Sequence, residues 1–285
     1  MAAILERSAR VLTGDGAFRL LARVLLLVGA IIAIVPYIWM LSSSLKSNAD
    51  IFSLQVQLIP STLNFENYLL AWNREGIARF LFNSLAMAVG ETIGVLVTSI
   101  LAGYAFARLR FAGREVLFLI VLGTMMVPAQ ATLIPSFILV RQLGWIDTYQ
   151  GLIVPRLVTA FGIFMLRQFF MSIPKDLEDA ARVDGCSRIR TLIQIMLPLS
   201  GPAVATLAIF AFTQSWNEFF WPLIVVQTPG MRTVQVAIAA LKATELVEWG
   251  VVMAVVTIAS LPTLLVYFAF QRYFVRGIVM SGIKG

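Results

Sequence analysis

Long runs without charged side chains constrain this chain more than any other feature of its sequence. Val24–Leu45 and Val116–Val140 contain no Asp, Glu, Lys or Arg, and Phe80–Ala107 contains only Glu91 among these residue types. An α-helix rises about 1.5 Å per residue, so about 20 apolar residues cross the roughly 30 Å hydrocarbon core of a bilayer. Each run is long enough for one crossing. The sequence therefore predicts an integral membrane protein built from helices.

Trp249–Gln271 supplies one further span, and two others follow from weaker signals. Tyr149–Phe170 is interrupted by Arg156 and Arg167, which we expect near opposite ends, where long side chains reach the headgroups. Thr191–Met231 holds only Glu218 and is too long for one helix, so the prolines at 198 and 202 mark the entry to a span. We predict one all-α membrane domain over residues 1–285, with six transmembrane helices at about 20–43, 80–107, 116–140, 149–170, 203–226 and 249–271.

Composition and charge support this class and suggest an orientation. Hydrophobic residues make up 59% of the chain and charged residues 13%, with a mean hydropathy of +0.87, which exceeds what a soluble domain carries. The formal charge of +7 reflects Lys and Arg that flank the spans, so no nucleic-acid partner is expected. With a cytoplasmic amino terminus, 15 of the 22 basic residues fall in inner segments, and the positive-inside rule then predicts that both termini are cytoplasmic.

The residue types that are missing limit the chemistry. The chain has no histidine and one cysteine, Cys186, which excludes an internal disulfide, a histidine-dependent metal site and a Ser-His-Asp triad. No Gly-x-x-x-x-Gly-Lys-[Ser/Thr] phosphate cradle is present. We therefore expect no enzyme activity, no catalytic residues, no metal and no cofactor in this chain. An ion-coupled carrier is a weak alternative, because only Glu91 and Glu218 lie within its spans.

A polar segment between the fourth and fifth spans, about 172–199, differs from the rest of the chain. Pro174 suits the first position of a helix, acidic residues follow in the first turns, and Gly185 suits a left-handed cap, so we predict a helix of about eleven residues. Ser187 is expected to cap a second helix that lies along the membrane surface or under the bundle. The first helix would present a face of mostly small side chains, formed by Leu177, Ala180, Ala181 and Asp184. The second would present an apolar stripe, formed by Ile189, Leu192, Ile193 and Met196.

The spacing within this segment resembles a known loop. Asp179-Ala180-Ala181, three residues, Gly185, nine residues and Ile195-Met196-Leu197-Pro198 are similar to the EAA---G---------I-LP loop of ATP-binding-cassette importer permeases; Asp179 replaces the usual glutamate. The resemblance implies a coupling helix that docks into a cleft of a cytoplasmic ATPase. The residues it assigns to ATPase coupling are Glu178, Asp179, Ala180, Ala181, Asp184 and Gly185. An ordinary amphipathic connector is the alternative.

Other stretches extend the similarity to the maltose-type carbohydrate permeases, and to the smaller permease subunit among them. They are NYLLAW from Asn67, NSL from Asn83, GYAFARLRFAGR from Gly103, GWIDTYQGLIVP from Gly144, SWNEFFWPL from Ser215 and GIVMSGIKG from Gly277. The resemblance implies a type I importer transmembrane domain in a bacterial or archaeal inner membrane that works by alternating access. Its partners would be a second permease subunit, more consistent with a heterodimer than a homodimer, two ATPase subunits that hold ATP and Mg, an extracytoplasmic solute-binding protein and membrane lipid.

Polar residues within the spans are candidates for the substrate pathway, because lipid tolerates them poorly. Gln130 lies between Pro128 and Pro135, which should kink the third span. Trp216 and Trp221 flank two polar residues and could form a platform for a sugar ring. The predicted pathway residues are Asn83, Gln130, Trp216, Asn217 and Glu218. Interhelical hydrogen bonding to a partner is the alternative for each, a purely structural subunit is a third possibility, and the solute itself stays open.

Overall fold

The fold is described from a computed structural model of the chain. It covers the backbone of residues 2–53, 57–60, 62–73 and 76–282, and the side chains of these residues apart from 2–15, 17, 19 and 271–282. Every regular element in these ranges is a helix, which confirms the predicted all-α class. The last three residues of the GIVMSGIKG tail, 283–285, lie outside the described residues. The chain divides into two compact units.

The first unit comprises residues 1–75 and 245–258. Its elements are α1 (Ala2–Ser44), α2 (Asn48–Ile51), α3 (Glu66–Asn73) and the first part of α15 (Trp249–Gly282). Asn67 is buried and donates from Nδ2 to the carbonyls of Ser44 and Lys46, each at 2.9 Å. These hydrogen bonds satisfy carbonyls at the carboxyl end of α1 and fasten α3 to them.

The second unit comprises residues 76–244 and 259–285, and α4 lies at its centre. It contains α4 (Ile77–Arg108), α5 (Arg114–Thr124), α6 (Ala129–Gln142), α7 (Tyr149–Ile153), α8 (Ala160–Ser172), α9 (Asp176–Val183), α10 (Arg188–Thr191), α11 (Leu197–Leu199), α12 (Gly201–Trp216), α13 (Phe220–Val225), α14 (Val234–Lys242) and the rest of α15. Helices α8 and α12 pack on α4. One buried cluster joins all three around Tyr104, Phe170 and Leu207.

Helices α4 and α8 approach closely because small residues line their contact. A Cβ added at Gly162 would lie 2.3 Å from Ser99 Oγ, and one added at Gly103 would lie 3.1 Å from the amide nitrogen of Arg167. Small residues at helix contacts in membranes let the backbones approach and gain dispersion energy. The α4–α8 pair therefore forms the packed centre of the second unit.

We expect Gly162→Ala to destabilise the protein by about 1–3 kcal/mol, because the added methyl group overpacks the α4–α8 contact. Gly123→Ala is the matched control: nothing lies within 4 Å of its added Cβ, so it should be neutral or stabilise helix α5 by up to about 1 kcal/mol. Unfolding by SDS titration in mixed micelles measures both changes. Equal stability of the two variants would contradict the close packing.

Single long helices account for three of the possible membrane spans, and bent pairs of helices account for up to three more. Leu20–Ser44, Ile77–Arg108 and Trp249–Phe270 are each long and apolar enough to cross a membrane alone. Three bent pairs pass the same test as pairs and raise the possible number of spans to six: Arg114–Thr124 with Ala129–Gln142 at 98°, Tyr149–Arg156 with Ala160–Ser172 at 45°, and Arg188–Leu199 with Gly201–Trp216 at 81°. Six crossings predicted from the sequence are therefore compatible with the helices, although half of them are bent.

Two of the predicted spans differ from straight helices for identifiable reasons. The third breaks before Pro128, whose extended backbone precedes α6, whereas Pro135 lies inside a continuous helix. The predicted fifth span, 203–226, is divided, because α12 ends at Trp216 and α13 begins only at Phe220. Between them Glu218 Oε1 accepts from the amides of Phe220 and Trp221 and so caps α13.

Asp147 fixes the loop that follows α6. It has a φ of 60°, in the left-handed region that aspartate tolerates better than most residues, and its amide donates to the Val225 carbonyl at 3.0 Å. Its Oδ1 accepts from the amides of Gln227 and Thr228 at 3.0 and 3.1 Å. Partial burial alone would raise the pKa of Asp147, but hydrogen bonds from the Thr228 side chain and these two amides outweigh it and lower the pKa.

Asp147→Asn should cost about 1 kcal/mol at neutral pH, because asparagine keeps an acceptor in the loop but loses the charge that strengthens these hydrogen bonds. A lowered carboxyl pKa stabilises the fold above the unfolded-state value of about 3.9, and this stabilisation disappears as the pH falls through the folded-state pKa. The stability difference between wild type and Asp147→Asn should therefore be constant above about pH 5 and shrink in acid. Melting temperatures measured from pH 3 to 7 test this, and a difference that does not change with pH would contradict it.

Candidate functional site

The predicted coupling segment contains a short polar helix. Helix α9 covers Asp176–Val183, eight residues rather than about eleven, with acidic residues in its first turn. Gly185 ends it with a φ of 78°, and the Cys186 amide donates to the Ala181 carbonyl at 2.9 Å. This hydrogen bond and the left-handed glycine form the helix cap that the sequence predicts. The helix is shorter because its last turn closes into this cap.

The exposed face of α9 differs from the predicted one. Leu177, Ala180 and Asp184 are exposed, as are Asp179 and Gly185. Ala181, assigned to the same small-sided face, is 4% exposed and points into the chain. Helix α9 is therefore rotated about its axis relative to the predicted orientation, because Glu178 is also buried and lies on its inner side. Four of the six proposed coupling residues are exposed, namely Asp179, Ala180, Asp184 and Gly185.

Glu178 is held by Arg108, the last residue of α4. Arg108 Nε lies 2.8 Å from Glu178 Oε1, and the two side chains are only 4% and 5% exposed. Arg108 Nη2 also donates to the carbonyls of Phe170, at 2.6 Å, and Ile173. One guanidinium thus joins the end of α4, the end of α8 and the inner side of α9. Sequence reasoning assigned Glu178 to an outside partner because the motif alone does not reveal this internal arginine.

The second helix of the segment begins as predicted. Ser187 Oγ accepts from the Arg190 amide at 3.3 Å and caps α10. The apolar stripe is divided, however, because Leu192 and Met196 are buried while Ile189 and Ile193 are exposed. Residues Leu192–Met196 form a π-helix, which changes the angular spacing of side chains along the segment. The buried pair packs with Tyr104 and Phe170 under the α4–α8 contact.

Three of the residues considered for the pathway have structural roles. Asn83 is fully buried, donates to the carbonyls of Gly230 and Arg232 at 2.9 Å, and accepts from Tyr149 Oη at 2.6 Å. Trp216 and Trp221 are 2% and 3% exposed. Trp216 Nε1 donates to the Ala259 carbonyl at 3.0 Å, and Trp221 Nε1 donates to the Gly151 carbonyl at 3.1 Å. The expected aromatic platform is therefore absent at these two residues, because each indole is used inside the chain.

The remaining predicted pathway residues are more accessible. Gln130 is exposed near the start of α6. Asn217 is exposed and donates from Nδ2 to the Thr213 carbonyl at 2.9 Å. Glu218 is partly exposed and borders two clefts. The structure brings Asn217 and Glu218 together and leaves Gln130 outside the lining of both clefts.

Arg156 joins two carboxylates that are distant in sequence. Its Nε donates to Glu91 Oε1 on α4, and its Nη2 lies 2.8 Å from Glu218 Oε2. The expectation that Arg156 and Arg167 reach toward headgroups from the ends of a span is wrong for both. Arg167 is 9% exposed, and its guanidinium stacks 3.9 Å from the centre of the Phe118 ring. Acceptors and aromatic faces inside the chain satisfy both arginines, as buried cations require.

Two clefts adjoin this ion cluster. The first has a volume of about 290 Å³, and its polar lining is Glu91, Arg156, Thr159, Gln214, Ser215 and Glu218. The second, more open cleft is lined by Phe210, Thr213, Gln214, Asn217, Glu218, Phe219 and Phe220. They share Phe210, Gln214 and Glu218 and therefore form adjacent depressions along α12. The sequence analysis did not identify Arg156 or Gln214 as pathway residues. For Arg156, the available signal was the presence of an arginine inside a predicted span.

Comparisons with known proteins agree with the similarity predicted from the motif. Residues 94–280 match the family described as binding-protein-dependent transport system inner membrane component. The arabinooligosaccharides transport system permease protein of Halalkalibacterium halodurans is 33% identical over 259 residues, covering 90% of this chain and 93% of that protein. The sn-glycerol-3-phosphate transport system permease protein of Pectobacterium atrosepticum is 34% identical over 269 residues, covering 91% and 95%.

Two further comparisons extend this result. The lactose transport system permease protein of Rhizobium radiobacter is 34% identical over 252 residues, covering 88% of this chain and 92% of that protein. Among solved structures, a bacterial ABC transporter involved in the import of the acidic polysaccharide alginate contains a chain with a TM-score of 0.81 and 28% identity. The alignment covers 92% of this chain and 98% of that one.

Proposed function

This chain belongs to the family of binding-protein-dependent transport system inner membrane components, and we propose that it is the smaller permease subunit of an ATP-binding-cassette importer for a sugar or sugar-like solute. The family is a multi-pass membrane component and is not itself catalytic. The carbohydrate assignment is supported by relatives named for arabinooligosaccharides and lactose and by the alginate importer. The relatives named for sn-glycerol 3-phosphate keep other solutes in consideration.

The observation that carries the proposal is the exposed side of α9. Asp179, Ala180 and Asp184 lie on the surface of a helix that Arg108 fastens from within. Small and acidic side chains on a fixed helix permit close approach of a partner with complementary charge. This arrangement supports a coupling helix, because motion of the helix would be carried to α4 and α8 through Arg108.

The remaining parts of the importer follow from the same proposal. Two partner ATPase subunits would bind ATP and Mg and hydrolyse the nucleotide, and their closure would drive the bundle between inward-facing and outward-facing states. A second permease subunit would complete the pathway and an extracytoplasmic protein would deliver the solute. Both termini and α9 would lie in the cytoplasm of a bacterium or archaeon, as the distribution of Lys and Arg predicts.

The proposed pathway residues are those that border the clefts, Asn217 and Glu218, together with Arg156, Glu91 and Gln214. Gln130 stays a candidate from its exposure alone. Asn83, Trp216 and Trp221 are not proposed again, since all three are buried and their polar atoms bind partners inside the chain. A pathway in a membrane needs polar groups that water or solute can satisfy, and the cleft residues provide them.

Co-purification tests the function. The chain is co-expressed with a second permease, an ATPase and a binding protein encoded beside it, extracted in detergent and captured by an affinity tag. We expect the ATPase to co-purify and its activity to rise when the binding protein is loaded with solute. Capture of the chain without any ATPase, or an ATPase rate that no loaded binding protein stimulates, would contradict the proposal.

A further inference from the structure

The ion cluster Glu91–Arg156–Glu218 occupies a position that lipid cannot cover. Glu91 lies midway along α4, a helix apolar enough to span a membrane, and its side chain is 5% exposed. Charged groups at this depth are costly in hydrocarbon and face protein or water. The cluster opens into the first cleft through Arg156, whose side chain is 27% exposed. The first cleft therefore combines charged groups with apolar walls within the membrane-spanning part of the chain.

The charge of this space has a definite sign. Arg156 contributes one positive charge, while Glu91 and Glu218 contribute two negative charges, each within hydrogen-bonding distance of the guanidinium. No other basic side chain lines either cleft in the part of the chain that the structure describes. As ionised groups the three residues leave one net negative charge. An anion entering here would meet that charge in surroundings that screen it weakly.

The rest of the lining is suited to uncharged polar groups. Gln214 is exposed and borders both clefts, and its amide offers donors and an acceptor. Asn217 offers the same groups in the second cleft. Phe161 and Phe210 border the first cleft as an edge-to-face pair with ring centres 6.0 Å apart. Amides and carboxylates bind hydroxyl groups, and aromatic rings bind the apolar faces of a sugar ring.

We infer that these adjoining clefts form a transit site for a neutral polyhydroxylated solute and that they disfavour anionic solutes such as phosphate esters and uronic acids. The carboxylates of Glu91 and Glu218 accept from solute hydroxyls, and Arg156 positions both carboxylates. Gln214 and Asn217 continue the hydrogen-bonding surface along α12. The inference rests on the proposed importer function and narrows its substrate class.

Uptake into proteoliposomes that contain the complete transporter tests the substrate class. The complex is supplied with ATP on the ATPase side and with its binding protein and radiolabelled probes on the other side. Lactose and arabinotriose are the neutral probes, and sn-glycerol 3-phosphate and an alginate trisaccharide are the anionic probes. We expect ATP-dependent uptake of a neutral probe at a rate about tenfold or more above that of either anion. Preferred uptake of an anion would overturn the inference while leaving the importer function intact, whereas failure of an ATPase to associate would instead refute the importer function.

Variants connect the selectivity to these residues. Glu218→Gln retains an oxygen that can cap α13 but removes the charge, and Gln214→Ala removes only an exposed amide. Each should raise the KM for uptake of the neutral probe about tenfold, the loss expected for a hydrogen bond to solute. The control is Gln142→Ala, which removes an exposed amide that lines neither cleft and which should leave uptake unchanged. An unchanged KM in Gln214→Ala would overturn the inference. Loss of the second permease from the purified complex would also overturn it, because the clefts would then form a subunit interface.

Discussion

Replacing Gly185 with arginine is expected to abolish solute-stimulated ATPase activity and uptake while leaving the chain folded. Gly185 has a φ of 78°, so any L-residue there costs about 1–2 kcal/mol, which a folded protein can bear. Nothing lies within 4 Å of a Cβ built at this position, so the first atom of an added side chain meets open space. An arginine would place a bulky cation beside the exposed face of α9, where the proposed ATPase docks. Co-purification and ATPase assays on the purified complex measure the effect.

A matched substitution separates docking from backbone strain. Gly144 also has a left-handed backbone, with a φ of 70°, and also has open space around an added Cβ, but it lies in the loop after α6. Gly144→Arg should cost a similar amount of stability and retain ATPase association. If Gly185→Arg couples normally, α9 is an ordinary connector. If both variants lose the ATPase, strain or misfolding explains the result and docking at α9 loses its support.

Arg108→Ala is expected to produce the largest loss of stability of any single change considered for this chain. Removing the guanidinium leaves the buried Glu178 with only Arg182, 4.0 Å away, as a basic partner, and leaves the carbonyls of Phe170 and Ile173 without their donor. Breaking a buried ion pair from one side costs about 3–5 kcal/mol. The unfolding midpoint in an SDS titration should fall accordingly, and the amount of protein in the membrane should fall with it.

Two controls define the cause of this loss. Arg114→Ala removes a neighbouring, partly exposed arginine from its ion pair with Glu115 and from a hydrogen bond to the Leu109 carbonyl, and it should cost about 1–2 kcal/mol. The double variant Arg108→Met with Glu178→Leu replaces both charges by apolar groups and should recover much of the stability lost in Arg108→Ala. If the double variant folds stably but uncouples ATP hydrolysis from uptake, the ion pair also transmits motion. A double variant no more stable than Arg108→Ala would show that the carbonyl contacts dominate.

Local patterns in the sequence were sufficient for the class of protein, the family and the segment that carries the proposed coupling helix. Long charge-free runs can satisfy their backbone hydrogen bonds in lipid by forming helices, and the structure confirms the predicted helical fold. The spacing from Asp179 to Pro198 pointed to a permease family, and the match over residues 94–280 confirms it. The left-handed cap at Gly185 and the Ser187 cap depend only on neighbouring residues, so sequence rules anticipated both.

Only the tertiary structure decided which side each polar residue faces and what it binds. Asn83, Trp216 and Glu178 were plausible functional residues by type, yet each binds groups from a distant part of the chain. Arg156 was expected at the membrane surface, yet it joins Glu91 and Glu218 beside a cleft. The physical reason is that a buried polar group must find a partner, and the sequence does not show which residue that partner is. For Arg156 the two partners lie more than 60 residues away in sequence and are brought close only by packing.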